Sequence, residues 1–302
     1  MLIIIAGLAS VASSVYYPLG SSIAVNLSRG SKGKSLSIFI IFMTIGGFAY
    51  TFAPMISIPI VSEFGLKYLI FLMIPGFFVA FFLKFAEIDK IKCRIASDKK
   101  EEKRKKKKVS KNKVKWLSLL VFLCLINVFF ERIMIVFGVQ IMFMKGIKII
   151  PAGIILSVHM FLRSAGTLSG GYLSDKFGEK SILVIFSILS FGIYTITIFS
   201  QGLLVVIGIV LFSYMQNGTS TANITIAHHI LPENINLGTG AIMGLPGTFA
   251  GILMLVFGKF SDIYGLREMA KFTACLSLIP VFISLYIFKK YDHVIAKLVL
   301  VR

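Results

Sequence analysis

From Trp116 to Met144 the chain reads WLSLLVFLCLINVFFERIMIVFGVQIMFM, and Glu131 and Arg132 are the only charged residues in it. About 20 apolar residues in a helix cross the roughly 30 Å hydrocarbon core of a bilayer, so a run of this length constrains the chain to a membrane. Comparable runs cover 2–26, 36–61, 66–84, 115–144, 149–174, 180–200, 202–228, 238–258 and 269–289. With 57% hydrophobic and 15% charged residues, there is more apolar surface than a soluble domain can bury. The runs are too long for barrel strands and lack their alternation. The expected fold is therefore an all-α membrane protein of nine transmembrane helices.

Charge sets the orientation. Of the 32 Lys and Arg residues, 24 fall on one side: loop 27–35, segment 84–115, loop 175–180 and the tail after Phe288. Six fall on the other side, and Arg132 and Arg163 lie inside spans. The basic side is expected to be cytoplasmic, with Arg302 inside and Met1 outside. The net charge of +19 is concentrated in SDKKEEKRKKKKVSKNKVKW, a low-complexity linker suited to water and anionic lipid. Nucleic-acid binding would call for interleaved aromatic residues for stacking, and only Trp116 is near, at an interfacial anchor position. The three cysteines have neither metal-ligand nor redox spacing, so free thiols and no metal or cofactor are expected.

One polar octet is written twice: GYLSDKFG at Gly171–Gly178 and GKFSDIYG at Gly258–Gly265. Three spans separate the copies, so they face opposite sides, as in the inverted three-helix repeats of secondary transporters. GSSIA at Gly20–Ala24 also echoes GTSTA at Gly218–Ala222, six spans later and in the same orientation. That match pairs span one with span seven. It divides the chain into a partial N-terminal half of three spans (1–84), a basic cytoplasmic linker (85–114) and a six-helix C-terminal half (115–302).

GGYLSDKFGEK resembles the G-x-L-(S/A)-D-(R/K)-x-G signature of the major facilitator superfamily. GLASVASSVYYPLGSSIAVNLSRGSKGKSLSIF is similar to helix four of the fosmidomycin-resistance branch, and AHHILPENINLGTGAIMGLPG followed by GKFSDIYGL to its helices ten and eleven. The resemblance implies that the nine spans are helices 4–12 of a twelve-helix transporter. It also implies that Gly171, Asp175, Lys176, Gly178 and Lys180 form a cytoplasmic latch between halves, with Gly258, Asp262 and Gly265 as its repeat. There are two departures. Tyr17 stands where the branch tends to carry histidine, and Glu179 stands where the signature usually has a basic residue. Met1 opens directly into an apolar span without flanking positive charge, which reads as an internal helix. On this reading the 302-residue chain by itself shows no proton-coupled flux. The upstream helices are then expected to be encoded elsewhere, as a separate N-terminal helix unit or an upstream start, or to be lost.

Ionisable residues deep in a span are costly and usually mark substrate or ion pathways. Glu131 is fourteen residues from Lys145, and Arg163 fourteen from Ile149, so at ~1.5 Å per residue both lie about 21 Å from the outer surface. They are expected to meet. Arg132 points about 100° away from Glu131. His159 is one turn from Arg163 and titrates near neutral pH. If all of these pack inward, the site carries a net charge of about +1 and attracts anions; the bland alternative is an ion pair that fixes helix packing. Tyr17, Asn127, Gln216, Asn217 and Asn223 are candidates for a cavity lining. His228 and His229 sit at a cytoplasmic end and read as interfacial, and Pro18, Pro54 and Pro246 as helix bends.

The expected protein is a multi-pass plasma (inner) membrane exporter of a small organic molecule, driven by protons through alternating access. Its expected partners are the lipid bilayer, protons and a small, anionic substrate. No G-x-x-x-x-G-K-(S/T) loop for ATP, no H-E-x-x-H pair and no intramembrane aspartate pair is present, so it does not read as an enzyme. An uncoupled facilitator and a non-transporting scaffold, sensor or inactive fragment are the rival readings.

Overall fold

The computed structural model describes residues 51–85, 110–232 and 234–300. Tyr17, Pro18, the Gly20–Ala24 echo, the first span, most of the second and most of the basic linker lie outside them. The chain divides into two compact units, Met1–Ala49 with Ile60–Lys108, and Tyr50–Pro59 with Val109–Arg302.

Helix α1 (51–63) ends at Gly65, whose φ of 96° only glycine adopts without strain. In the first unit, the third predicted span is not one continuous α-helix. A 3₁₀ helix, Leu66–Met73, leads into α2 (Ile74–Phe85). Pro75 lies at the join, where a missing N–H does no harm to a new helix but cannot continue an old one.

The second unit is an antiparallel helical bundle: α3 (Lys111–Met144), α4 (Ile149–Phe177), α5 (Glu179–Phe199), α6 (Leu203–Ile230), α7 (Ile235–Tyr264), α8 (Leu266–Leu276) and α9 (Leu278–Leu300). Among the described residues six segments are long and apolar enough to span a bilayer, the sixth being Leu266–Lys290 across α8 and α9. That span breaks at Ser277. Pro280 has no N–H, and its ring clashes with the carbonyl four residues back, so Leu276 ends α8. Pro246, by contrast, sits within an unbroken α7.

Contacts between helix ends identify the two ends of this bundle. At one, His229 Nδ1 lies 3.2 Å from Glu179 Oε1, His228 Nε2 and Thr239 Oγ1 are 2.7 Å apart, and Lys180 lies over the Phe288 ring. These histidines pin α6 to α5 and α7. At the other end the Lys145 ammonium donates to the carbonyls of Ile198, at 2.8 Å, and Ser200. A cation there meets the negative end of the α5 dipole. Burial, and then the nearby Arg267 charge, push the Lys145 ammonium below its ordinary lysine value.

The two octets fold alike. Each closes a long helix on its aromatic residue, Phe177 or Tyr264. Each then turns on a glycine, Gly178 (φ 83°, ψ 140°) or Gly265 (φ 86°, ψ 141°). In both, the glycine N–H donates to the carbonyl of the octet serine, Ser174 at 2.9 Å or Ser261 at 3.0 Å. The next helix starts at once, and its fourth residue, Ile182 or Met269, donates back to the glycine carbonyl at 3.2 Å. The octet is thus a helix–helix corner with a single linking glycine, used once at each end of the bundle. The charge count predicts that a cysteine at exposed Lys176 is labelled from the cytoplasm and one at exposed Lys148 from outside. The reverse pattern would invert the orientation.

Helices α4 and α6 make the closest approach. A methyl group on Gly166 or Gly170 would collide with the carbonyl oxygens of Tyr214 and Gly218. Three side chain–backbone bonds join the pair: Ser213 Oγ to the His159 carbonyl, Thr221 Oγ1 to the Thr167 carbonyl at 3.1 Å, and His159 Nδ1 to the Ile209 carbonyl at 2.9 Å. Small residues let backbones touch, and the hydroxyls and the imidazole then bond across the seam. Large apolar side chains such as Phe122, Val136, Leu168 and Phe282 stay exposed, as a lipid-facing surface requires.

Candidate functional site

The site is centred on Glu131, at mid-length in α3, on a face otherwise filled by Asn127, Phe130 and Met134. Its Oε1 lies 2.5 Å from Arg163 Nε on α4, and Arg163 Nε also donates to Asn217 Oδ1 on α6 at 3.3 Å. Asn217 Nδ2 donates to Glu131 Oε1 at 3.4 Å and to the Ser213 carbonyl at 3.1 Å. The asparagine thus closes a triangle across three helices, accepting from the guanidinium and donating to the carboxylate. The Glu131 side chain is 9% exposed and that of Arg163 40%. The pair is therefore open on the arginine side and closed behind the carboxylate.

His159 lies fully buried one turn from Arg163. Because a carbonyl only accepts, the bond to Ile209 O puts the proton on Nδ1. Nε2 has no hydrogen-bond partner among the described residues. Gln216 Nε2 donates to the Asn127 carbonyl at 3.0 Å, tying α6 to α3 one turn from Glu131.

The expected meeting of Glu131 and Arg163 is thus seen. Inward packing of Arg132 is not: it is exposed, on the other face of α3. The helical rotation that buries Glu131 turns its neighbour outward. The cluster is consequently an ion pair of no net charge beside a buried imidazole, and the net charge of about +1 that needed Arg132 inside does not arise. Asn217 enters the cluster, while Asn127 and Gln216 brace it from the next turn. In the octet, Gly170 meets the Gly218 carbonyl closely, Gly171 faces Thr221, and Asp175 is exposed in the last turn of α4. Lys176 lies 5.3 Å from the Phe177 ring centroid. Glu179 pairs with His229 at the start of α5. In the second copy, Asp262 is exposed near the end of α7, Gly258 is helical and Gly265 makes the turn.

The model of the Major Facilitator Superfamily matches residues 1–245. The chain belongs to the major facilitator superfamily. It is 26% identical over 287 residues to the fosmidomycin resistance protein of Escherichia coli (strain K12), covering 91% of this chain and 67% of that protein. It is 26% identical over 284 residues to an uncharacterized MFS-type transporter of Methanocaldococcus jannaschii, covering 88% of this chain and 69% of that one. No solved structure matches. As a superfamily member the chain is a multi-pass membrane transporter, and its all-α bundle of apolar helices is that of the family.

The Glu131–Arg163 contact has a direct energetic test. Removing one partner leaves the other charge uncompensated within the span, whereas removing both does not. Glu131→Gln combined with Arg163→Gln is expected to melt above the less stable single variant, with a coupling energy of about 1–3 kcal/mol. Additive losses in detergent-solubilised protein would mean that the pair contributes nothing.

Proposed function

We propose that this transporter is a proton-coupled exporter of a small organic molecule in the plasma membrane. Glu131 is its proton site, and Arg163 is its ligand for an acidic group on the substrate. The observation that carries the reading is the 2.5 Å pair at mid-span, with its arginine open and its carboxylate shielded. A structural ion pair does not need its guanidinium to be reachable, whereas a substrate must have one partner it can reach.

The chemistry limits the substrate. A simple anion on Arg163 releases the Glu131 carboxylate and favours its protonation, so anion and proton bind together and travel in the same direction. Export against an inward proton gradient needs mutual exclusion. A molecule with both an acidic group and a hydrogen-bond donor supplies it: the acid replaces Glu131 on Arg163, and the donor occupies the Glu131 carboxylate. A proton on Glu131 then competes with the donor. Asn217, which donates to the carboxylate and accepts from the guanidinium, holds the two in register as they separate. Asp175 and the lysines at the α4–α5 corner act in this reading as the cytoplasmic latch. An exposed acid at a helix C-terminus opposes the local dipole and suits a partner at the N-terminal end of another helix.

The name of the Escherichia coli relative makes fosmidomycin the first compound to test. In inverted membrane vesicles from cells carrying the gene at its own locus, energised uptake of fosmidomycin is expected, with collapse on adding an uncoupler. Uptake that ignores the uncoupler would support a facilitator. Absence of flux for a panel of hydroxylated and amino acids, with partner binding retained, would support a scaffold.

A further inference from the structure

The α3–α9 seam opens into a groove of about 430 Å³ lined by Lys115, Trp116, Ser118, Leu119, Phe122 and Tyr286. It lies at the end of the bundle that carries the basic segment. Trp116 and Tyr286 stack across the seam, ring centroids 5.8 Å apart and planes 15° from parallel. Lys115 and Ser118 are exposed at the upper rim. Lys111 lies one turn before Lys115, and Lys289 and Lys290 follow one turn after Tyr286; all three are exposed. Below the aromatic pair, Leu119 and the 47% exposed Phe122 continue the groove along the apolar surface.

The charges are placed against the helix. The first turn of α3 holds lysines and no acid, and its N-cap Ser110 makes no side-chain cap bond. Lysines beside the positive end of a helix dipole are unfavourable until an anion sits among them. The lysines at the same level on α9 add to that field.

We propose that this groove is a binding site for an anionic phospholipid. The phosphate lies among Lys115, Lys289 and Lys290, the glycerol backbone rests on the Trp116–Tyr286 stack, and an acyl chain follows Leu119 and Phe122. The apolar lower wall selects a lipid over free phosphate, and the lysines select an anionic head group over a zwitterionic one. Aromatic anchoring and the cytoplasmic bias of lysine account for the residue types, but not for the open groove that Lys115, the stacked rings and Phe122 line together. The site depends on the chain spanning a membrane and is independent of what it transports.

Trp116 is the only tryptophan in the chain, so its fluorescence reports on this groove alone. The purified protein is placed in phosphatidylcholine vesicles containing an equal minor fraction of brominated phosphatidylglycerol or brominated phosphatidylcholine. Quenching is expected to show roughly threefold to fivefold enrichment of the anionic lipid for one effective lysine contact, more if several act together, falling with added salt. Lys115→Gln with Lys289→Gln and Lys290→Gln should lower the enrichment to the level that the remaining basic linker sets, while Lys148→Gln with Lys259→Gln at the other end leaves it intact. Equal quenching in the wild-type protein would overturn the site, whatever the variants do. Reversal of the enrichment by inorganic phosphate at constant ionic strength would overturn the lipid assignment.

Discussion

Replacing Glu131 by Gln is expected to abolish gradient-driven accumulation of substrate in inverted vesicles while leaving substrate exchange in place. A pH difference of one unit drives about tenfold accumulation for each coupled proton. The variant should therefore fall from a ratio approaching that limit to equal concentrations on both sides. Gln keeps the shape and the hydrogen bonds that Asn217 offers but cannot ionise, so the proton no longer competes with substrate. Arg163 loses its counter-charge but keeps its bond to Asn217 Oδ1, and the bundle should still fold. Loss of exchange and accumulation together, in a well-folded variant, would make Glu131 a substrate ligand only. Unchanged accumulation would remove it from coupling altogether.

Gly170→Leu is expected to have the largest effect on folding. The position faces the Gly218 carbonyl so closely that even a methyl group collides with backbone, which cannot rotate away as a side chain does. Inserting extra methylenes into a packed core typically costs about 1–3 kcal/mol where repacking is available. Here repacking requires α4 to separate from α6, breaking the bonds from Ser213, Thr221 and His159. The variant should yield little monodisperse protein in detergent. Gly244→Ala on α7, where a methyl group meets no described atom within 4 Å, should melt within a few degrees of the wild type. Equal melting of the two variants would show that the α4–α6 seam is not tightly closed.

The Glu131–Arg163 pair is legible in the sequence because two antiparallel spans with short connections fix depth by counting residues. Rotation about the helix axis is less legible. Depth alone cannot say that Glu131 turns inward and Arg132 outward, since that depends on which residues fill the rest of each face. The third member, Asn217, needs the relative register of α3 and α6, which are not adjacent in the chain. It is readable only as one of several polar candidates. The octet corners are legible as a repeat because glycine, serine and the aromatic residue recur at the same spacing. Their physical content, a serine carbonyl capped by a glycine N–H at positive φ, appears only in the backbone. Pro280 signals the break at Ser277 in the sequence, but a continuous apolar run hides it. Gly166 has no mark that separates it from other glycines until Tyr214 is seen against it. The Lys145 cap on α5 is invisible to charge counting, which registers the lysine but not the carbonyls it reaches.

The central claim is that substrate and proton exclude each other at Glu131. It is tested most directly by the protons released when substrate binds purified protein in weakly buffered detergent solution, read with pH indicators over a series of acid to neutral pH values. Binding to the wild type is predicted to release protons in a pH-dependent amount approaching one per substrate where Glu131 is protonated before binding. The Glu131→Gln variant should bind substrate and release none. Proton uptake by the wild type, or equal release from both proteins, would contradict the account.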